Sequence, residues 1–266
     1  MTVGPHSYPD QRRVCLAGQL RLCSMPLAGK DISMRELHRA RGAMLLAIGW
    51  LLVAGAAFAK QPPPQQWAPD IAAFVAQDRS QAPPQHGVLF IGSSSIHLWT
   101  SVATDFPGVP VINRGFGGSA IADSTFYVDR IVTPYHPRVI VMYAGDNDIA
   151  EGATSAEVIH DFQTFVARVR HDLPEVKIVY ISIKPSLARE NLWPQMREAN
   201  QGIAHWMQGK PDMHFVDIAP PMFDKAGHPR AELLREDGLH MKPSGYALWV
   251  SALKPVLASY GFPTQQ

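Results

Sequence analysis

Residues 87–95 read GVLFIGSSS. An unbroken apolar run, Gly87–Ile91, leads directly into a glycine and three serines. Such short, continuous runs suit strands buried on both faces, as in a parallel sheet. The run recurs at Val109–Ile112 (VPVI), Arg138–Tyr143 (RVIVMY), Val176–Ile183 (VKIVYISI) and Met213–Ile218 (MHFVDI). Helical patterns lie between these runs. The clearest covers 155–171, where Val158, Ile159, Phe162, Phe165, Val166 and Val169 keep helical spacing and Thr154 with Glu157 forms a capping box. Others cover about 191–208 and Ser244 to about Ala258, the latter with Pro255 expected to kink or shorten it. Strand–helix alternation predicts a three-layer α/β/α sandwich around a doubly wound parallel sheet of about five strands.

In such sheets the chemistry sits beyond the carboxyl ends of the strands. The first run ends in Gly92-Ser93-Ser94-Ser95, the second in Asn113-Arg114-Gly115-Phe116-Gly117-Gly118-Ser119, and the third in Gly145-Asp146-Asn147-Asp148. Past the fifth comes Asp237-Gly238-Leu239-His240. Each alone is common turn chemistry. Their joint placement on one sheet edge is much harder to explain that way.

These four segments resemble the four sequence blocks of the SGNH (GDSL-type) hydrolases, over residues 87–258. The resemblance implies a flavodoxin-like sandwich and a serine esterase or lipase; no cofactor is expected, and metal dependence is not indicated. It implies Ser94 as nucleophile, Asp237 and His240 as acid and base, and Ser94, Gly118 and Asn147 as oxyanion donors. One departure stands out: the usual G-D-S-L reads Gly92-Ser93-Ser94-Ser95, so a serine replaces the block aspartate. Counting from Gly92 selects Ser94, with Ser93 and Ser95 read as turn and capping residues.

The residue types carry the same chemistry without the family. A serine hydroxyl is a poor nucleophile until a base takes its proton. An imidazole serves as that base, and a carboxylate on its other nitrogen fixes the tautomer. Backbone amides and an Asn side chain stabilise the oxyanion. Asp146 and Asp148 read as solvated turn carboxylates, and Asn113 as a cap on the second strand. Trp99, Phe116, Tyr143, Trp193 and Trp249 read first as core. The loop from Lys184 to Pro194 leaves the same edge, so Lys184, Arg189 and Trp193 are expected to touch substrate.

Rival readings fit less well. An α/β-hydrolase needs G-x-S-x-G at the nucleophile, which is lacking. Gly115-x-Gly117-x-x-Ala120 approaches a dinucleotide fingerprint, but it follows the second strand and lacks the acid about 20 residues on. A non-catalytic, exported carbohydrate- or lipid-binding protein on the same scaffold is the third reading. The complete Ser, Gly, Asn, Asp and His set opposes it. No H-E-x-x-H or calcium-loop spacing occurs.

Composition bounds the rest. Of 266 residues, 46% are hydrophobic and 18% charged, with a net charge of +1, so nothing suggests a nucleic-acid partner. Two cysteines exclude a disulfide-rich scaffold. Arginine-rich 35–41 (RELHRAR), the apolar run Ala43–Ala56 and Ala57-Phe58-Ala59 describe a signal peptide over 34–59, cut after Ala59. The run is short for a membrane span, which needs about 20 apolar residues. Residues 1–33 read as an over-long start or a disordered extension, with Met34 the expected initiator. The expected location is periplasmic or extracellular, with no stable membrane span after cleavage. Residues 60–86 are rich in Pro and Gln and read as a linker with a short helical stretch at Ile71–Gln77, ahead of a hydrolase domain at 87–262.

Overall fold

The computed structural model describes residues 63–263; the expected signal peptide and the segment before it lie outside them. Five strands form one sheet: β1 (Val88–Gly92), β2 (Val111–Gly115), β3 (Val139–Tyr143), β4 (Lys177–Ile181) and β5 (Met213–Val216). All pairings are parallel, in the order β2-β1-β3-β4-β5. Alternate residues feed two cores. Leu89, Ile91, Ile140, Met142 and Ile178 enter one, and Val88, Phe90, Val141, Val179 and Ile181 the other. Because both faces are covered, the strands show as continuous apolar runs rather than alternating ones.

Nine helices accompany the sheet among the described residues: α1 (Ala68–Ser80), α2 (Ser94–His97), α3 (Val102–Asp105), α4 (Ile121–Phe126), α5 (Val128–Ile131), α6 (Asp146–Ala150), α7 (Ser155–Asp172), α8 (Trp193–Met207) and α9 (Pro243–Ser259). Side chains of α1, α4, α5, α7 and α8 share the first core, and those of α2, α3 and α9 the second. Thr154 caps α7 through the Glu157 amide, and Glu157 returns to the Thr154 N–H at 2.7 Å. Pro255 does not shorten α9, which continues to Ser259.

The expected linker is a correction. Residues 64–67 make a 3₁₀ turn, and α1 follows for 13 residues. Trp67, Ile71 and Phe74 keep i, i+4, i+7 spacing and pack on the first core, with Ile71 fully buried. Asp78 pairs with the buried Arg114 guanidinium and accepts from the Tyr135 hydroxyl at 2.7 Å. Arg114 also lies over the Phe74 ring, 5.0 Å from its centroid. The surrounding Pro and Gln residues mask this apolar face in the sequence.

The chain leaves β1 in one direction to reach β2 and in the other to build β3, β4 and β5. The crevice beyond the carboxyl ends of β1 and β3 is therefore the topological switch point. Gly92 ends β1 there. Its φ is +132°, and a Cβ would stand 1.9 Å from the Tyr143 carbonyl oxygen, so only glycine fits.

Candidate active site

Ser93, Ser94 and Ser95 follow Gly92 into the single turn of α2. Ser93 and Ser95 are buried, at 0% and 1% exposure, while Ser94 is partly exposed to the crevice. Ser93 occupies the capping position, but its hydroxyl makes no cap bond; its carbonyl accepts from the Ile96 and His97 amides instead.

The Asp237–His240 loop is pinned by an isolated bridge between Leu234 and Met241 and by the Arg235 N–H donating to the His240 carbonyl at 2.7 Å. Asp237 Oδ1 accepts from the Leu239 and His240 amides at 2.8 and 2.9 Å, which turns the loop back on itself. Asp237 Oδ2 lies 2.7 Å from His240 Nδ1, and His240 Nε2 lies 3.0 Å from Ser94 Oγ. A carboxylate only accepts, so Nδ1 carries the proton. The Ser94 hydroxyl then donates to the free Nε2. Desolvation pushes the Asp237 carboxyl up, but the hydrogen bonds from the His240 ring and the two amides outweigh it and hold the group well below the usual carboxylate range.

The β2 and β3 loops close the opposite side. Gly145, at φ +111°, starts α6 and places Asn147 in its first turn. Asn147 Nδ2 donates to the Ser119 carbonyl at 3.0 Å. The Ser119 hydroxyl donates to the Phe116 carbonyl at 2.9 Å, and the Phe116 amide to the Gly92 carbonyl at 3.0 Å. Gly118 thus sits in a loop tied at once to β1 and to Asn147. It is exposed and has a φ of +75°. A Cβ there would meet the Trp67 ring at 3.2 Å. Trp67 went unseen in the sequence because the Pro and Gln around it read as linker. Asn113 does not simply cap β2: its Nδ2 donates to the Ile96 carbonyl at 2.8 Å, latching α2 to the sheet.

Asp146 and Asp148 are corrections as well, for both are buried rather than solvated. Asp148 Oδ1 accepts from the Ile121 amide at 3.0 Å, and burial pushes its carboxyl up to about 7. A carboxyl raised in the fold contributes stability that is full below its ordinary value, and that is lost as pH rises toward 7. Asp148→Asn keeps the acceptor and removes the charge. Its melting temperature relative to the parent is expected to climb between about pH 4 and pH 7, with the gap worth a few kcal/mol at most. Parallel melting profiles across that range would contradict it.

The loop after β4 also departs from expectation. Lys184 is 1% exposed; its ammonium lies 3.7 Å from Asp146 Oδ2 and over the Tyr143 ring, so it does not reach substrate. Arg189 is mostly buried and donates to Asn147 Oδ1 at 2.9 Å. Trp193 packs edge-on against Phe223, 5.1 Å between centroids, and lines a separate cavity of about 430 Å³ with Arg197, Phe215 and Asp217. Among the described residues no three His, Cys, Asp or Glu side chains converge as a metal site requires. No described helix is long and apolar enough to cross a membrane.

The comparisons with known proteins bear on the family and the fold. The profile of the GDSL-like lipase/acylhydrolase family matches residues 92–248. No curated protein is similar to the chain at a significant level. Among solved structures, a Streptococcus pneumonia protein provisionally named a platelet activating factor superposes with a TM-score of 0.64 at 20% identity, covering 82% of this chain and 99% of its own. A GDSL-like lipase from Bacteroides thetaiotaomicron gives 0.61 at 18%, covering 71% and 97%. A carbohydrate esterase family 3 enzyme from Talaromyces cellulolyticus gives 0.50 at 17%, covering 65% and 96%. At these identities the likeness speaks for the fold, and the profile match over more than half of the chain speaks for the family. The chain belongs to the GDSL-like lipase/acylhydrolase family and is an ester-hydrolysing enzyme.

Proposed function

We propose that the protein hydrolyses carboxylic esters by a serine acyl-enzyme route with Ser94, His240 and Asp237 as the triad. The observation that carries this reading is the continuous chain from Asp237 Oδ2 through the His240 ring to Ser94 Oγ, at 2.7 and 3.0 Å. His240 Nε2 takes the hydroxyl proton as Ser94 Oγ attacks the carbonyl carbon. The resulting oxyanion receives the backbone amides of Ser94 and Gly118 and the second N–H of Asn147. The alcohol leaves with the proton from His240. Water, deprotonated by the same ring, then attacks the acyl-enzyme and releases the acid. Asp237 holds the tautomer and steadies the imidazolium.

The substrates of this reading are small acyl, lipid or acetylated-sugar esters. The enzyme acts outside the cytoplasm, after cleavage of the 34–59 segment behind Ala59. Purified protein run on nitrophenyl acetate, butyrate, octanoate and palmitate, beside acetylated polysaccharide, tests the reading. Turnover of at least one ester, abolished by a serine-directed fluorophosphonate, is the expected result. Turnover that persists after complete serine modification would overturn the mechanism, and the chain-length profile separates the three substrate classes.

A further inference from the structure

We propose that Arg189 is a positioning residue for the hydrolysis: it locks the Asn147 carboxamide so that an N–H faces the developing oxyanion. This rests on the reading of Asn147 as an oxyanion donor. A carboxamide has two nearly isosteric ends, and only one of them helps. With Nδ2 toward the crevice the side chain donates; flipped, it would present Oδ1 to a negative oxygen and repel it. Two neighbours decide the matter, each by having a single role. The Ser119 carbonyl only accepts and meets Nδ2 at 3.0 Å. The Arg189 guanidinium only donates and meets Oδ1 at 2.9 Å. One N–H of Nδ2 is thereby used and the other is left for the substrate. The arginine bond is the charge-assisted one, roughly twice as strong as a neutral bond. Its charge also draws electron density toward Oδ1, which makes the free N–H a better donor.

The guanidinium is itself held. Asp146 Oδ2 lies 3.1 Å from Arg189 Nη1, and Lys184 stands 3.7 Å from the same oxygen. Lys184, Asp146 and Arg189 thus alternate in charge along a buried row that ends on the Asn147 amide. The backbone fits this role as well. Arg189 interrupts the 3₁₀ stretch Leu187–Leu192 with φ −129° and ψ 26°. Its neighbour Ala188 donates to the Gly238 carbonyl at 3.1 Å, inside the loop that carries Asp237 and His240. One strap therefore braces the base loop and the oxyanion loop together. At 17% side-chain exposure, with Nη2 donating to Asn147 Oδ1 and Nη1 ion-paired with Asp146 Oδ2, Arg189 is turned toward the oxyanion loop rather than toward a substrate anion.

A double-mutant cycle on nitrophenyl acetate tests this. Asn147→Ala is expected to lower kcat about 100–1000-fold, the usual loss for one oxyanion donor. Arg189→Met should lower kcat about 10–100-fold with KM within about two-fold, because the interaction matters in the transition state. In the Asn147→Ala background the same change should cost less than about two-fold more. Arg189→Lys should recover part of the loss, keeping the charge without the fork, and serves in place of Arg189→Met if that variant does not fold. Equal losses from Arg189→Met in both backgrounds would overturn the proposal, as would a loss confined to KM. If Asn147→Ala retains full activity, the oxyanion reading fails and this inference falls with it. If Asn147→Ala is crippled while Arg189→Met is not, only this inference fails.

Discussion

Ser94→Ala is expected to lower kcat on simple esters by about 10⁴–10⁶-fold while the melting temperature stays essentially unchanged. The large loss follows from removing the only serine hydroxyl of the three that faces both the crevice and the His240 ring. The small structural effect follows from its partial exposure and from its single side-chain hydrogen bond. Ser93→Ala and Ser95→Ala are internal controls. Both side chains point into packed surroundings at 0% and 1% exposure, so neither change removes a hydroxyl from the crevice. Steady-state kinetics on the three variants checks the assignment. Loss of activity in Ser93→Ala or Ser95→Ala with retention in Ser94→Ala would transfer the nucleophile elsewhere.

Asp237→Asn is the second large effect, expected at about 10⁴-fold in kcat with the fold preserved. The amide end of an asparagine would donate to His240 Nδ1 and leave the proton on Nε2, where it blocks acceptance from Ser94. Asp237 Oδ1 also organises its own loop through two amides, and an asparagine Oδ1 keeps those bonds. Backbone placement should therefore survive while the tautomer does not. Ring-nitrogen NMR of His240 separates these possibilities. A proton that stays on Nδ1 in the variant would contradict the account, as would activity within ten-fold of the parent. The carboxyl of Asp237, held low in the fold, lends the loop stability that is present above the ordinary carboxylate range and is lost as pH falls through its folded value.

The sheet was legible because parallel strands buried on both faces write their position as unbroken apolar runs. Gly87–Ile91 and Arg138–Tyr143 overlap β1 and β3 to within a residue. The α7 capping box was legible for the same local reason, since Thr154 and Glu157 satisfy each other within one turn. What the sequence hid were properties set by long-range packing. Asp146 and Asp148 look like turn residues until α4 and the β4 loop cover them. Lys184 reads as a substrate-facing loop lysine until Asp146 and the Tyr143 ring draw it inward. The expected helical stretch at Ile71–Gln77 falls inside α1, but the prolines and glutamines around it hid that Trp67, Ile71 and Phe74 dock this segment on the first core. Pro255 looks like a helix breaker, yet α9 runs through it; its packing against the second core offsets the local loss.

The central claim is that one particular serine of three is the nucleophile, activated by His240. Labelling with a fluorophosphonate tests it most directly, because the serine oxygen displaces fluoride from phosphorus and marks itself covalently. Peptide mass spectrometry of the treated protein should find a single adduct at Ser94, and His240→Ala should slow its formation at least 100-fold. An adduct on Ser93 or Ser95, or labelling of Ser94 at an unchanged rate in His240→Ala, would contradict the account.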